Sequence, residues 1–87
     1  MPAAKRIERA ADLIQEARIY PIPIEGGRFN FDYLIKVKAK LKEARELVRL
    51  IPKTVGLTDE LKARAKQILE DADRADREIF HPDSPAQ

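Results

Sequence analysis

The chain has 87 residues, no cysteine, one histidine and a formal net charge of +2. Such a length holds one domain with a modest core. Without cysteine it has no disulfides, thiolate metal sites or cysteine nucleophiles, and +2 is too little to set up a bulk field toward nucleic acid or membrane.

The opening stretch MPAAKRIERAADLI carries Glu8 and Asp12 and no apolar signal core. No apolar run approaches the ~20 residues of a membrane span. A cytoplasmic protein is therefore expected. Asn30 is the only asparagine and Met1 the only methionine; with dense Lys, Arg and Glu this leans toward a thermophile-like composition.

Residues 2–19 read as helix 1. Pro2 suits a first helical position. Ile7, Ala10, Ile14 and Ala17 recur at three and four residues, flanked by Ala3 and Leu13. The alanines permit close approach of a neighbouring helix. Pro21 and Pro23 end the helix.

The first connection reads YPIPIEGGRF over residues 20–29. A surface loop is usually polar, yet this one holds Tyr20, Ile22, Ile24 and Phe29. Two readings hide them: the segment closes the bundle beyond the end of helix 1, or it docks on a partner. Closure is expected, with Ile22 and Ile24 buried. Gly26 and Gly27 read as a turn; with Arg28 before a helix start, anion binding is the alternative.

Asn30 or Asp32 caps helix 2, which is expected to reach Ile51 before Pro52. Leu34, Val37, Leu41, Ala44, Val48 and Ile51 form a heptad seam. Ile35, Leu47 and Leu50 fall outside it and supply surplus apolar surface. Lys38, Lys42, Arg45 and Arg49 step by four, three and four, a basic stripe that could track phosphates. The sequence reading finds no aromatic or amide base reader on that stripe, so pairing with acids of helix 3 is the favoured reading.

After the second connection, PKTVGLTDEL, Gly56 turns the chain and Thr58 caps helix 3. Leu61, Ala65, Ile68, Ala72, Ala75 and Ile79 make its seam, widened by Leu69 and Phe80. His81 and Pro82 stop the helix, and 82–87 reads as a disordered tail. Helices 2 and 3 match in length, so a short turn makes them antiparallel neighbours.

The chemistry available is sparse. Ser84 lies in the tail, Thr54 in a turn, and Thr58 is a cap. His81 has no nucleophile to pair with. The acidic run EDADRADRE over residues 70–78 could suggest a hard-metal site. Surface pairs Asp73–Arg77 and Glu70–Arg74 at i,i+4 explain it better. These acids lie toward a helix C-terminus, where the dipole disfavours them, which points to a basic neighbour.

The stretch LKARAKQILEDADRADREIF resembles the third helix of MIT-type three-helix modules. The resemblance covers under a quarter of the chain. It implies a three-helix fold and binding of short peptide helices in an interhelical groove.

The expected architecture is all-α: a three-helix bundle over residues 1–81, an antiparallel helix 2–3 hairpin with helix 1 packed on it. The expected function is a non-enzymatic protein–protein interaction module, a small adaptor or assembly subunit that forms a homodimer or meets a protein partner. Its contact residues are Tyr20, Ile22, Ile24, Phe29, Ile35, Leu47 and Leu50. The alternative is a nucleic-acid-binding accessory protein using Arg28, Lys38, Lys42, Arg45 and Arg49. No catalytic residue, metal, cofactor or membrane partner is expected.

Overall fold

A computed structural model describes residues 1–81, so the tail expected at 82–87, with Ser84, lies outside the described residues. Helix α1 spans Ala3–Arg18, α2 spans Phe31–Val48 and α3 spans Asp59–Phe80, with single 3₁₀ turns at Gly27–Phe29 and Ile51–Lys53. No strand occurs among the described residues. None of the helices is long and apolar enough to cross a membrane.

The helix ends follow from side-chain and proline chemistry. Pro2 sits one step before the helix, as the N-cap of α1, in extended conformation. Asn30 caps α2: its Oδ1 accepts from the Tyr33 N–H at 3.0 Å, and its Nδ2 donates to the Glu25 carbonyl at 2.9 Å. One side chain thus starts the helix and ties down the loop before it. Thr58 caps α3 as expected, its Oγ1 accepting from the Leu61 N–H at 3.2 Å. Helix α2 stops at Val48 rather than Ile51. Pro52 has no N–H to give the Val48 carbonyl, and its ring disfavours helical geometry just before it. The chain tightens into the 3₁₀ turn instead, and the Thr54 hydroxyl donates to the Leu50 carbonyl at 2.7 Å.

Cross-helix contacts fix the directions. Tyr20 meets Tyr33 and Glu16 meets Lys40, so α1 and α2 are antiparallel. Lys38 meets Phe80 and Arg45 meets Asp73, so α2 and α3 are antiparallel too. Arg18 at the end of α1 reaches Asp71 and Glu78 late in α3, so these two run parallel. The molecule is an up-down-up three-helix bundle, with α1 packed on both other helices.

Among the described residues fifteen apolar ones are buried, and six of them are alanine: Ala10, Ala17, Ala44, Ala65, Ala72 and Ala75. No polar or charged residue is buried among the described residues. The bulkiest fully buried side chains, Leu13, Ile14, Val37, Leu41 and Val48, all come from α1 and α2. Helix α3 buries only three alanines and Ile79. The most extensive interface is α1–α2, and α3 packs on both with Leu61, Ile68, Leu69 and Phe80 partly buried against the core. The expected antiparallel α2–α3 hairpin with α1 packed on it is present.

Two substitutions test this packing. Leu41→Ala should lower stability by about 2–5 kcal/mol through cavity formation. Ala72→Leu should lower it by about 1–3 kcal/mol through overpacking. Urea titration followed by circular dichroism measures both, and a neutral Ala72→Leu would rule out close approach of α3.

Candidate functional site

The end of the bundle where α1 stops and α2 begins carries most of the exposed apolar bulk. Ile24 is 102% exposed, Phe29 89%, Phe31 76%, Ile19 67%, Ile35 50% and Ile22 48%. The expected closure of the bundle by Ile22 and Ile24 does not occur. Tyr20 and Tyr33 fill that role, with ring centroids 6.0 Å apart, and the Lys40 ammonium lies 5.8 Å from the Tyr20 ring. Pro21 and Pro23 each fix their own φ and bias the residue before them away from helical geometry, so α1 cannot continue. Gly26 and Gly27, at φ +78° and +53°, then turn the chain back toward Asn30. A Cβ on Gly26 would come within 3.3 Å of the Asn30 backbone, so this turn demands glycine on two counts.

Sequence reasoning placed Tyr20, Ile22, Ile24, Phe29 and Ile35 on a contact surface, and the fold brings them to one end of the molecule. Tyr20 is half-buried there. It missed Ile19 and Phe31. Phe31 precedes Ile35 by one helical turn, which was the available signal. It also missed Tyr33, buried in the series Tyr33, Val37, Leu41, Ala44, Val48.

Leu47 and Leu50 do not join the others. Leu47 lies about 120° around α2 from Ile35 at 3.6 residues per turn and is partly buried against the core. Leu50 is exposed in the turn after α2, at the opposite end of the bundle.

The basic stripe on α2 is partly consumed by the fold. Arg45 pairs with Asp73 at 3.0 Å and Asp76 at 3.5 Å. The Lys38 ammonium stands 4.8 Å from the Phe80 ring centroid. Lys42 edges a shallow groove of about 360 Å³ with Ile35, Ala39, Leu41 and Asp76. Arg49 and Arg28 are exposed. Arg28 stands on the 3₁₀ turn of the loop, well away from Arg49 at the far end of α2.

The acids of α3 find the basic neighbours that their position requires. Asp71 and Glu78 take the Arg18 guanidinium at 3.0 and 3.2 Å. The hydrogen bond to Asp71 holds Arg18 above its ordinary pKa. The i,i+4 pairs expected within α3 give way to these cross-helix bonds, and Arg74 turns to Asp71 at i,i+3, 3.4 Å away. No cluster of three or more potential metal ligands forms among the described residues. His81 is exposed and its N–H bonds the Arg77 carbonyl, in the C-cap position. The cleft between α1 and α3, about 690 Å³, mixes Glu8, Asp12 and Glu70 with Arg64 and Arg74 above Ile7 and Ile68. It is wide open and presents no converging set of polar groups.

Comparison with protein-family models, curated proteins and solved structures finds no match for the chain. The likeness of α3 to the third helix of MIT-type modules therefore rests on its own residues alone.

Two measurements follow. Ile22→Ala and Ile24→Ala should each leave stability within about ±0.5 kcal/mol, as at ordinary surface positions; a loss of several kcal/mol in urea titration would restore the closure reading. The Glu16 carboxyl is held below its usual range, chiefly by the hydrogen bond from Lys40 at 2.9 Å and also by Arg9. A depressed folded-state pKa stabilises above the unfolded value and ceases to do so as pH falls through the folded one. Melting temperatures of the wild type and Glu16→Gln should thus differ most above the usual carboxylate range and converge as the pH falls through and below it.

Proposed function

We propose that this chain is a non-enzymatic helical interaction module, an adaptor or assembly subunit whose contact surface is the apolar end built from Ile19, Ile22, Ile24, Phe29, Phe31 and Ile35. The exposure of these six side chains on one short stretch is the observation that carries the reading. At roughly 150–200 Å² per large side chain they leave on the order of 700 Å² of apolar surface in water. For comparison, the largest apolar patch of a typical monomer is about 300–600 Å². The turn that presents them is held by Asn30 and by two prolines. Docking on it therefore needs little ordering of the chain.

One observation favours a second reading. At 100° per residue Phe31 falls on the same flank of α2 as Lys38, Lys42 and Arg49, and it is exposed. An exposed aromatic at the end of a cationic stripe is the arrangement that stacks bases of a single strand while tracking its phosphates. Against it, Arg45 is engaged by Asp73 and Asp76, and the four isoleucines of the patch offer no stacking face. Protein contact remains the first reading.

A photo-crosslinking side chain at position 24 separates the two in cells. The expected product is a protein adduct of discrete mass that disappears when Phe29 and Phe31 are changed to serine. Adducts to nucleic acid alone would promote the second reading, and no adduct of either kind would overturn the first. On a single-stranded oligonucleotide, Lys42→Gln and Arg49→Gln should each lower the salt slope by about 0.7 only if those residues touch phosphates.

A further inference from the structure

The partner that this apolar end fits best is a second copy of the same chain. Resting on the interaction-module reading, we propose that two copies pair end to end through it in an isologous two-fold contact.

Area is the first argument. A stable interface of standard size buries about 800 Å² on each partner. The six exposed residues together come to on the order of 700 Å². Among the described residues the opposite end offers only Met1, Leu50 and Val55 as large exposed apolar side chains. The dimer that the sequence suggested through Leu47 and Leu50 is thus relocated to the Ile24–Phe31 end.

Charge is the second argument. A two-fold contact sets a patch against itself, so a patch of one sign would repel its copy. Between residues 19 and 36 the charged side chains are Glu25, Arg28, Asp32 and Lys36, two of each sign. Asp32 and Lys36 already neutralise each other across one turn at 3.3 Å. Glu25 and Arg28 flank the Gly26–Gly27 turn and make no ion pair among the described residues. Glu25 of one copy can therefore meet Arg28 of the other, twice, around the same axis. Lys38 and Lys42 edge the groove beside Ile35 at the margin of the patch, and Arg49 lies farther along α2.

The test is sedimentation equilibrium of the full-length chain with a matched set of variants, each checked by its thermal melt at low concentration. The wild type should dimerise at micromolar concentration. Ile24→Lys combined with Phe31→Lys should weaken the dimer at least about tenfold, as expected for central anchor side chains. Ile24→Ser with Phe29→Ser repeats the test with milder changes. Leu50→Lys, at the other end, should change affinity less than about twofold, within the usual range for residues outside the contact. Glu25→Arg makes the patch positive and Arg28→Glu makes it negative. Each alone should weaken self-association, and an equimolar mixture should restore a dimer containing one of each.

A wild type that stays monomeric at hundreds of micromolar would overturn the proposal. So would a dimer indifferent to the patch variants but broken by Leu50→Lys, or a charge-swapped mixture that fails to pair. A monomeric wild type that still gives a discrete crosslink to a different protein would refute self-pairing and leave the interaction-module reading standing. Absence of both would sink the two together.

Discussion

Close approach of helices through alanine is the constraint on which the rest of this bundle depends. Six of the fifteen buried side chains are alanine, and α3 contributes three of them. An alanine lets two backbones come near, but it removes little apolar surface from water, on the order of 0.8 kcal/mol per methyl-sized group. The result is a bundle in which Leu13, Ile14, Val37, Leu41 and Val48 fill the centre from α1 and α2, while α3 meets them with alanines and with the partly buried Leu61, Ile68, Leu69 and Phe80.

What α3 lacks in buried volume is offset at its rim. Arg18 reaches it from α1 and Arg45 from α2, each gripping two carboxylates. These ion pairs are partly exposed, and pairs of that kind add only modestly to stability. Their main effect is on register: an axial slide of α3 by one turn would take Asp71 and Asp73 away from both arginines at once. The acids near the C-terminal half of α3 are unfavourable for their own helix dipole and make sense only through the other two helices. The same demand explains why the cationic stripe of α2 is not a uniform free surface.

Much of this was legible in the sequence because periodic segments constrain themselves. The three seams, the Thr58 cap and the direction of the hairpins follow from spacing and chain length, and the structure repeats them. Misses fall where periodicity gives no purchase. The end of α2 was misplaced because the seam runs on to Ile51, which is buried, although the helix has already yielded to Pro52. Tyr33 was passed over because Leu34 fits the same seam one step later. The separation of Ile35 from Leu47, about 120° around α2, follows from helix geometry alone and sets the two on different faces. For residues 20–29 no period exists, so nothing in the residues fixes which side chains turn inward. There the burial of Tyr20 with Tyr33, not of Ile22 and Ile24, is a tertiary outcome.

Pro21 and Pro23 have one more consequence. In an extended chain alternate residues face the same way, so the two missing N–H groups fall on the same side of the segment. A bare Tyr-Xaa-Ile-Xaa-Ile stretch, uncharged and exposed, is the sort of template on which other chains add β-strands and stacked fibrils grow. With proline at both intervening positions one edge has no donors to offer through that run, and cross-β pairing cannot propagate along it. The segment can thus keep Ile22 and Ile24 in water, adhesive through side chains while its main chain resists recruitment into aggregates.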